Sequence, residues 1–290
     1  MKRELIKLNL SRLVLMLFSL VFIFPIVIIF SNSFMSESEI QVLHATRLSV
    51  FDILDGITRR FITVRIIPNE ASLSQFQSVL VDQPIFIRQL FNSVRITIPV
   101  VIGNLLISLF AAFGFTCWKW KYKEILFYMY IIIMLMPLQA LLVPNFIIAH
   151  RMNIMQSHLA IIIPGIFAPF GTFLLRQFMK SIPDACYEAA TIDGAGSFRV
   201  FLYIVVPQMK AGIAALAMLV FIEYWNVVDQ VIVFLRDVSL EPLSVFLSRM
   251  ADGAMGLIFA ASLTYMIIPL LWLLFGQESL EKGIEMSGIK

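Results

Sequence analysis

Charge is what this chain has least of. Only 14% of its 290 residues are Asp, Glu, Lys or Arg, against 60% that are hydrophobic. A soluble domain carries about a quarter charged residues, so a large core inside a water-facing surface is excluded. The mean hydropathy of +0.89 is that of a membrane protein. The net charge of +3 is too small to imply nucleic acid as a partner; it suits loops facing anionic lipid. Cysteine is nearly absent: Cys117 and Cys186 have no spacing for a metal site or a disulfide framework and read as two inert thiols. His44, His150 and His158 are scattered, without paired-ligand spacing. No convergent His, Cys, Ser or carboxylate constellation suggests a membrane enzyme, so no catalytic residue and no metal site is assigned. A phosphate-cradling GxxxxGK[ST] loop is also missing, as are internal repeats of about 20–50 residues. No cofactor is expected in this chain.

What remains is a series of apolar runs. A hydrocarbon layer about 30 Å thick takes roughly 20 apolar residues as a helix. Six segments fit: Leu13–Phe30, kinked or broken near Pro25; Ile96–Trp118; Ile125–Ala149; Leu159–Leu175; Met209–Val228, interrupted by Glu223; and Met255–Gln277. The expected fold class is therefore an all-α integral membrane protein with six transmembrane helices. Lys2, Arg3, Lys7 and Arg12 before the first run suggest a signal peptide, but the run is long and no small-residue cleavage site precedes Ser31-Asn32-Ser33, so it reads as a retained helix. Basic residues in short loops set the orientation. Lys119, Lys121 and Lys123 follow the second span, Arg176, Lys180, Arg199 and Lys210 follow the fourth, and the third-to-fourth connection has only Arg151. Both termini are then expected in the cytoplasm.

The expected division is a cytoplasmic N-terminus (1–12), a first helix (13–33), an extracytoplasmic loop or subdomain (34–90), a five-helix core (91–277) and a cytoplasmic tail (278–290). Within the outer segment, Ser49–Leu54 and Ile57–Ile67 show β-branched alternation and Ser72–Leu80 reads as helical. Pro99, Pro137, Pro144, Pro164, Pro169 and Pro269 are expected to kink helices around a cavity, with neighbours satisfying the freed carbonyls. Asn104, Ser108, Gln139, Asn145, Ser262 and Thr264 read first as helix–helix hydrogen bonds.

The polar stretch 181–207, between the fourth and fifth spans, is the most informative. Ser181-Ile182-Pro183-Asp184 reads as a helix start, with Ser181 as cap and Asp184 three residues on. Asp193-Gly194 reads as its stop. Ala185, Ala189 and Ile192 fall on one face, flanked by Cys186 and Ala190, with Glu188 at its edge. Ser197 starts a second helix and Pro207 bends the chain. Taken alone, this is also what an amphipathic loop resting on lipid head groups would show.

Glu188-Ala189-Ala190, Gly194 four residues later and Ile204-Val205-Val206-Pro207 together resemble the EAA loop of ABC importer permeases. Other segments resemble the carbohydrate-importer branch, in particular the maltose-type inner subunit. They are Phe91-Asn92-Ser93-Val94, Ser181-Ile182-Pro183, Ala190–Ala195, Phe221-Ile222-Glu223-Tyr224-Trp225-Asn226, and Lys282-Gly283-Ile284 through Gly288-Ile289-Lys290. The resemblance covers most of Phe91–Lys290 and the first span. The outer segment Ser36–Asp82 fits poorly, Glu223 replaces a small or polar residue, and the aspartate that often follows Trp-Asn is Val227 here, with Asp229 two residues on.

The resemblance implies a permease subunit of a binding-protein-dependent importer, for a sugar or oligosaccharide. Docking on a separate ATPase would use Ala185, Glu188, Ala189, Ala190, Ile192, Asp193 and Gly194, with Lys282, Gly283 and Gly288 in a tail that reaches the ATPase pair. It also implies a second permease subunit, in a heterodimer or a homodimer, two ATPase subunits that carry ATP and magnesium, and an extracytoplasmic solute-binding protein. A non-sugar polar solute remains an alternative, as does an ion-coupled secondary transporter, although no inverted repeat is visible.

A carboxylate inside a span is costly unless it faces a cavity or a partner. Glu223 and Asn226 lie three apart, Asp229-Gln230 continues outward, and Tyr224 and Trp225 flank them, a strip suited to hydroxyl groups and the C–H face of a sugar ring. Tyr224 and Trp225 equally fit an interfacial aromatic belt, and Glu223 equally fits pairing with a partner permease.

Overall fold

With so few polar side chains available, the backbone must satisfy its own hydrogen bonds, and in lipid an unbroken apolar segment does so as a helix. The computed structural model describes residues 2–44, 66–118, 120–249 and 255–286. Among the described residues every element is helical, and a single isolated antiparallel bridge joins Met35 and Ala71. In chain order these are α1 (Lys2–Ser33), α2 (Glu37–His44), α3 (Ser74–Gln77, running into a π turn Ser78–Asp82), α4 (Pro84–Cys117), α5 (Lys123–Met134), α6 (Leu138–Arg151), α7 (Leu159–Ile166), α8 (Pro169–Met179) and α9 (Asp184–Ile192). Then follow α10 (Ser197–Gln208, with a π segment Phe201–Val205), α11 (Lys210–Trp225), α12 (Asp229–Phe234), α13 (Leu243–Arg249) and α14 (Met255–Met286).

Among the described residues four stretches are long and apolar enough to cross a membrane: Arg12–Ser33, Pro84–Cys117, Leu159–Met179 and Gly256–Gln277. Two bent helix pairs pass the same test when each is counted as one span, which gives up to six. The expected third span is not one helix. α5 and α6 meet at 102° across Leu135–Pro137, where Pro137 has an extended backbone (φ −62°, ψ 141°) and no N–H to continue the ladder. The expected fifth span is α11, which α10 meets at 74°, and its helix ends at Trp225 rather than Val228. Pro25, by contrast, does not break α1, which runs unbroken to Ser33; Pro99 and Pro269 also lie inside continuous helices.

The chain divides into two compact units, Met1–Ile87 with Leu247–Ile267 and Arg88–Phe246 with Ile268–Lys290. In the first unit the segment after α1 is stitched to the end of that helix. Ser31 Oγ donates to the Ile66 carbonyl, Ser72 N donates to Phe34 O at 2.8 Å, and the Phe34 and Phe76 rings lie 5.2 Å apart. Glu39 accepts from Asn69 N at 3.0 Å and Glu37 from Gln75 Nε2 at 2.7 Å. Gly256, at the start of α14, leaves no room for a Cβ beside Gln75. The helical reading of Ser72–Leu80 holds in α3 and its π turn; Ser49–Leu54 and most of Ile57–Ile67 lie outside the described residues.

In the second unit α8 packs on α5 and α11, and α12 packs on α6 and α7. Asn104, on α4, explains how the break between α7 and α8 is tolerated. Its Nδ2 donates to the carbonyls of Gly165, Ile166 and Ala168 at 3.0, 3.3 and 3.3 Å. Those carbonyls lie at the break, where Pro169 has no N–H for Gly165 O and leaves it only a 3.2 Å bond from Ala168 N. Gly171 allows this approach, because a Cβ there would collide with Asn104 and Ser108. Asn92 and Ser93 act similarly at the other end of α4: Asn92 Nδ2 donates to Ser239 O and Glu241 O at 2.8 and 3.1 Å, and Ser93 Oγ accepts from Leu243 N at 3.0 Å.

Candidate functional site

The α9–α10 hairpin has a defined shape for local reasons. Gly194 takes φ +73°, Gly194 N donates to Thr191 O at 3.1 Å and Ala195 N to Ala190 O at 2.9 Å, the paired bonds of a Schellman stop. The expected start is corrected. Ser181 does not cap α9; its hydroxyl donates to Phe178 O at 2.7 Å and closes α8. Pro183 holds the cap position of α9 in an extended conformation, two residues beyond Ser181. Asp184 still lies in the first turn, where a carboxylate favours the helix dipole.

Ala185, Glu188, Ala189, Thr191 and Ile192 are exposed, Ile192 to 85%, whereas Ala190 is buried. The outward face is therefore small and apolar with Glu188 on it, and Ala190 is a packing residue rather than part of that face. Cys186 and Tyr187 are half-buried; burial first, and then the neighbouring Cys117 thiol, push the Tyr187 phenol above its ordinary range. α10 is anchored by Phe201, whose ring stacks on Phe110 at 4.8 Å and meets Phe113 edge-on at 5.2 Å. Lys282 and Gly283 lie within α14, and Gly288 lies outside the described residues.

Beneath the hairpin, a cavity of about 220 Å³ is bounded by Lys123, Glu124, Arg176, Lys180, Asp184 and Tyr187 among others. Arg176 was expected in the basic loop after the fourth span, but it is buried in α8 at 2% exposure. It pairs with Glu124 at 2.6 Å and lies 3.7 Å above the Phe127 ring. Its partner is 52 residues away in sequence, so no local pattern pointed to it.

The candidate solute strip forms one wall of a second cavity, about 200 Å³, lined by Glu223, Tyr224, Asn226, Val227, Val228, Asp229, Gln230 and Leu138. The strip does not continue along a single helix: Asn226 ends α11 and Asp229 opens α12, so Glu223 and Asp229 line the cavity from successive helices. Asn226 Nδ2 donates back to Ile222 O at 2.8 Å. Tyr224 is buried against Gly165, where any Cβ would lie within 2.8 Å of its ring. Trp225 is not among the lining residues. It is fully buried, stacked on Phe221 at 5.4 Å, which in turn stacks on Trp272 at 4.9 Å. Gln230, mentioned in the sequence only as a continuation of the strip, belongs to the lining.

Comparison with known proteins places this architecture. An arabinooligosaccharides transport system permease protein (AraQ) of Halalkalibacterium halodurans is 27% identical over 237 residues, covering 81% of this chain and 85% of that one. An sn-glycerol-3-phosphate transport system permease protein (UgpE) of Escherichia coli is 25% identical over 279 residues, 94% of each chain. Among solved structures, a chain of a bacterial ABC transporter involved in the import of the acidic polysaccharide alginate superposes with a TM-score of 0.77 at 20% identity, covering 97% of this chain and 98% of that one. A bacterial alginate ABC transporter in complex with an alginate pentasaccharide-bound periplasmic protein gives 0.60 at 16% identity, over 71% and 81%. The model of one family matches residues 103–284, which contain both the hairpin and the Glu223 cavity, and by that match the chain belongs to the binding-protein-dependent transport system inner membrane components.

Proposed function

We propose that this multi-pass subunit forms half of the translocation path of an ATP-driven importer of a sugar or oligosaccharide. The observation that carries the reading is the outward face of α9, where Ala185, Glu188, Ala189 and an 85% exposed Ile192 stand on a helix stopped at Gly194 and backed by the Phe201 anchor. Small side chains let another backbone approach closely, and the rigid seat turns a push on that face into movement of the membrane helices. Asp193 and Gly194 shape the end of the docking helix, and the tail residues Lys282, Gly283 and Gly288 provide a second contact with the ATPase pair.

In this reading ATP and magnesium are held by two ATPase subunits, a second and unequal permease subunit completes the path, and an extracytoplasmic binding protein delivers the solute. Both termini lie in the cytoplasm of a bacterial or archaeal cell, the segment 34–90 faces outward, and the path in this subunit passes Glu223, Tyr224, Asn226 and Asp229. A sugar as solute is supported by the names of the arabinooligosaccharide and alginate systems. As the ATPases close, the hairpin moves as a rigid body and switches the cavity between outward and inward access.

The test is gentle extraction of the native complex beside a Glu188→Ala, Gly194→Val variant, with co-purifying proteins identified by mass spectrometry. An ATPase retained by the original and lost from the folded variant is expected. An intact original that captures no ATPase, even after crosslinking in the membrane, refutes the docking role.

A further inference from the structure

We infer that an apolar groove at the hairpin end of α4 holds an anionic phospholipid, with one acyl chain in the groove and the headgroup phosphate on the lysines that follow the helix. The sequence there alternates aromatic and basic residues, Trp118-Lys119-Trp120-Lys121-Tyr122-Lys123, and holds two of the chain's 4 tryptophans. Indole and phenol rings favour the level of the lipid headgroups, and each lysine near the surface favours an anionic lipid by about fivefold. The docking face of α9 and the Glu223 cavity use none of these residues, so the site stands whichever solute is carried.

The groove has a volume of about 710 Å³ and is lined by Phe110, Ala111, Gly114, Phe115, Trp118 and Trp120, none of them charged. The chain does not fill it: a Cβ on Gly114 would meet nothing within 4 Å, and Phe110 and Trp118 are 52% and 57% exposed. Beyond α4 the Trp120 ring returns to 6.4 Å from the Phe115 ring and so forms one wall. At the same end Lys121 is exposed, its Nζ 5.6 Å from the centre of the Tyr122 ring. Lys123 Nζ donates to Thr116 O at 3.4 Å and keeps further N–H donors for a phosphate. Glu124, the adjacent carboxylate, is engaged by Arg176 at 2.6 Å. An apolar groove capped by cations is complementary to a molecule with an apolar chain and an anionic head. A protein partner suits it less, because lysine is depleted from protein–protein interfaces.

The test uses the assembled transporter in phosphatidylcholine nanodiscs doped with a small, equal fraction of either phosphatidylglycerol or phosphatidylcholine bearing a diazirine on one acyl chain. After photolysis, mass spectrometry reads the labelling of segment 110–120 as a share of that of the whole chain. Each variant is first shown to melt like the original in phosphatidylcholine alone. The phosphatidylglycerol probe is expected to label this segment at least about tenfold more than the phosphatidylcholine probe. Lys119→Gln, Lys121→Gln and Lys123→Gln together are expected to bring the two probes within about twofold of each other. Gly114→Leu, which puts a side chain into the open groove, is expected to remove most of the labelling by both. Equal labelling of the original by the two probes overturns the anionic selection. A preference that survives the three substitutions overturns its assignment to these lysines. Labelling that Gly114→Leu leaves unchanged places the lipid outside the groove, and a segment that neither probe reaches is covered by protein; either result overturns the site.

Discussion

Arg176 and Glu124 respond unequally to loss of their partner. Arg176 is 2% exposed and Glu124 is 51% exposed, and they meet at 2.6 Å. Replacing Glu124 with Gln strands a guanidinium in the interior with only the Phe127 ring and a neutral acceptor near it. A fully buried pair broken in this way loses about 3–5 kcal/mol. Because Glu124 is half in solvent, water recovers part of that, leaving about 2–4 kcal/mol. Replacing Arg176 with Met removes the buried charge itself, fills similar space, and leaves a carboxylate that water can hydrate, so the cost is about 0–1 kcal/mol. The gap between the two variants is therefore about 2 kcal/mol, or about 4–8 °C in melting temperature for a chain of this size. Scanning fluorimetry of the complex in lipid nanodiscs reads it directly. A Met variant that melts as low as the Gln variant, or lower, refutes the asymmetry and with it the placement of the charge burden on Arg176.

Asn104→Leu keeps the volume of the side chain but removes the donor to Gly165, Ile166 and Ala168. A loss of about 1–2 kcal/mol is expected, because Gly165 O keeps the Ala168 N donor while the bonds from Asn104 are lost, measured by the same melting assay; a change of a few tenths would show that the α7–α8 break does not need this donor. Asp237 is exposed and accepts from Ser239 N at 2.8 Å, which holds its carboxyl below the ordinary range. A folded pKa below the unfolded one stabilises the turn Val238–Leu240 above the unfolded value and loses that support as pH falls through the folded one. The protection factors of the amides in this turn, which take out the slower intrinsic exchange at low pH, are expected to fall in the original as the pH drops through the carboxylate range and to stay level in Asp237→Asn; identical profiles in the two proteins would refute it.

Much of the fold was legible because it depends on properties carried within one segment. The apolar runs marked up to six spans, since a helix long enough to cross lipid announces itself by composition. The stop of α9 was readable at Gly194 because a positive φ is a demand on one residue. Caps and breaks were less legible. Ser181 and Pro183 both suited the start of α9, and only the chain path gave the position to Pro183 and sent the Ser181 hydroxyl back to Phe178. Pro25 and Pro137 look alike in sequence, yet α1 continues through one and the chain turns 102° at the other.

The candidate site divides along the same line. Glu223, Tyr224, Asn226 and Asp229 were found from residue type and proximity, but Trp225 was grouped with them by adjacency, and packing buried it against Phe221, outside the cavity lining. By itself the sequence determined that this is a helical membrane chain, where its long apolar runs lie, and which short helix carries an apolar outward face, because hydropathy, periodicity and backbone demand are local. Only the tertiary structure decided that Arg176 is buried against Glu124, that Asn104 holds the carbonyls of a broken span, and that Gln230 joins two carboxylates around one cavity. Those pairings join residues on different helices, or across a turn, and their energies depend on distance and burial, which are set by how the helices pack.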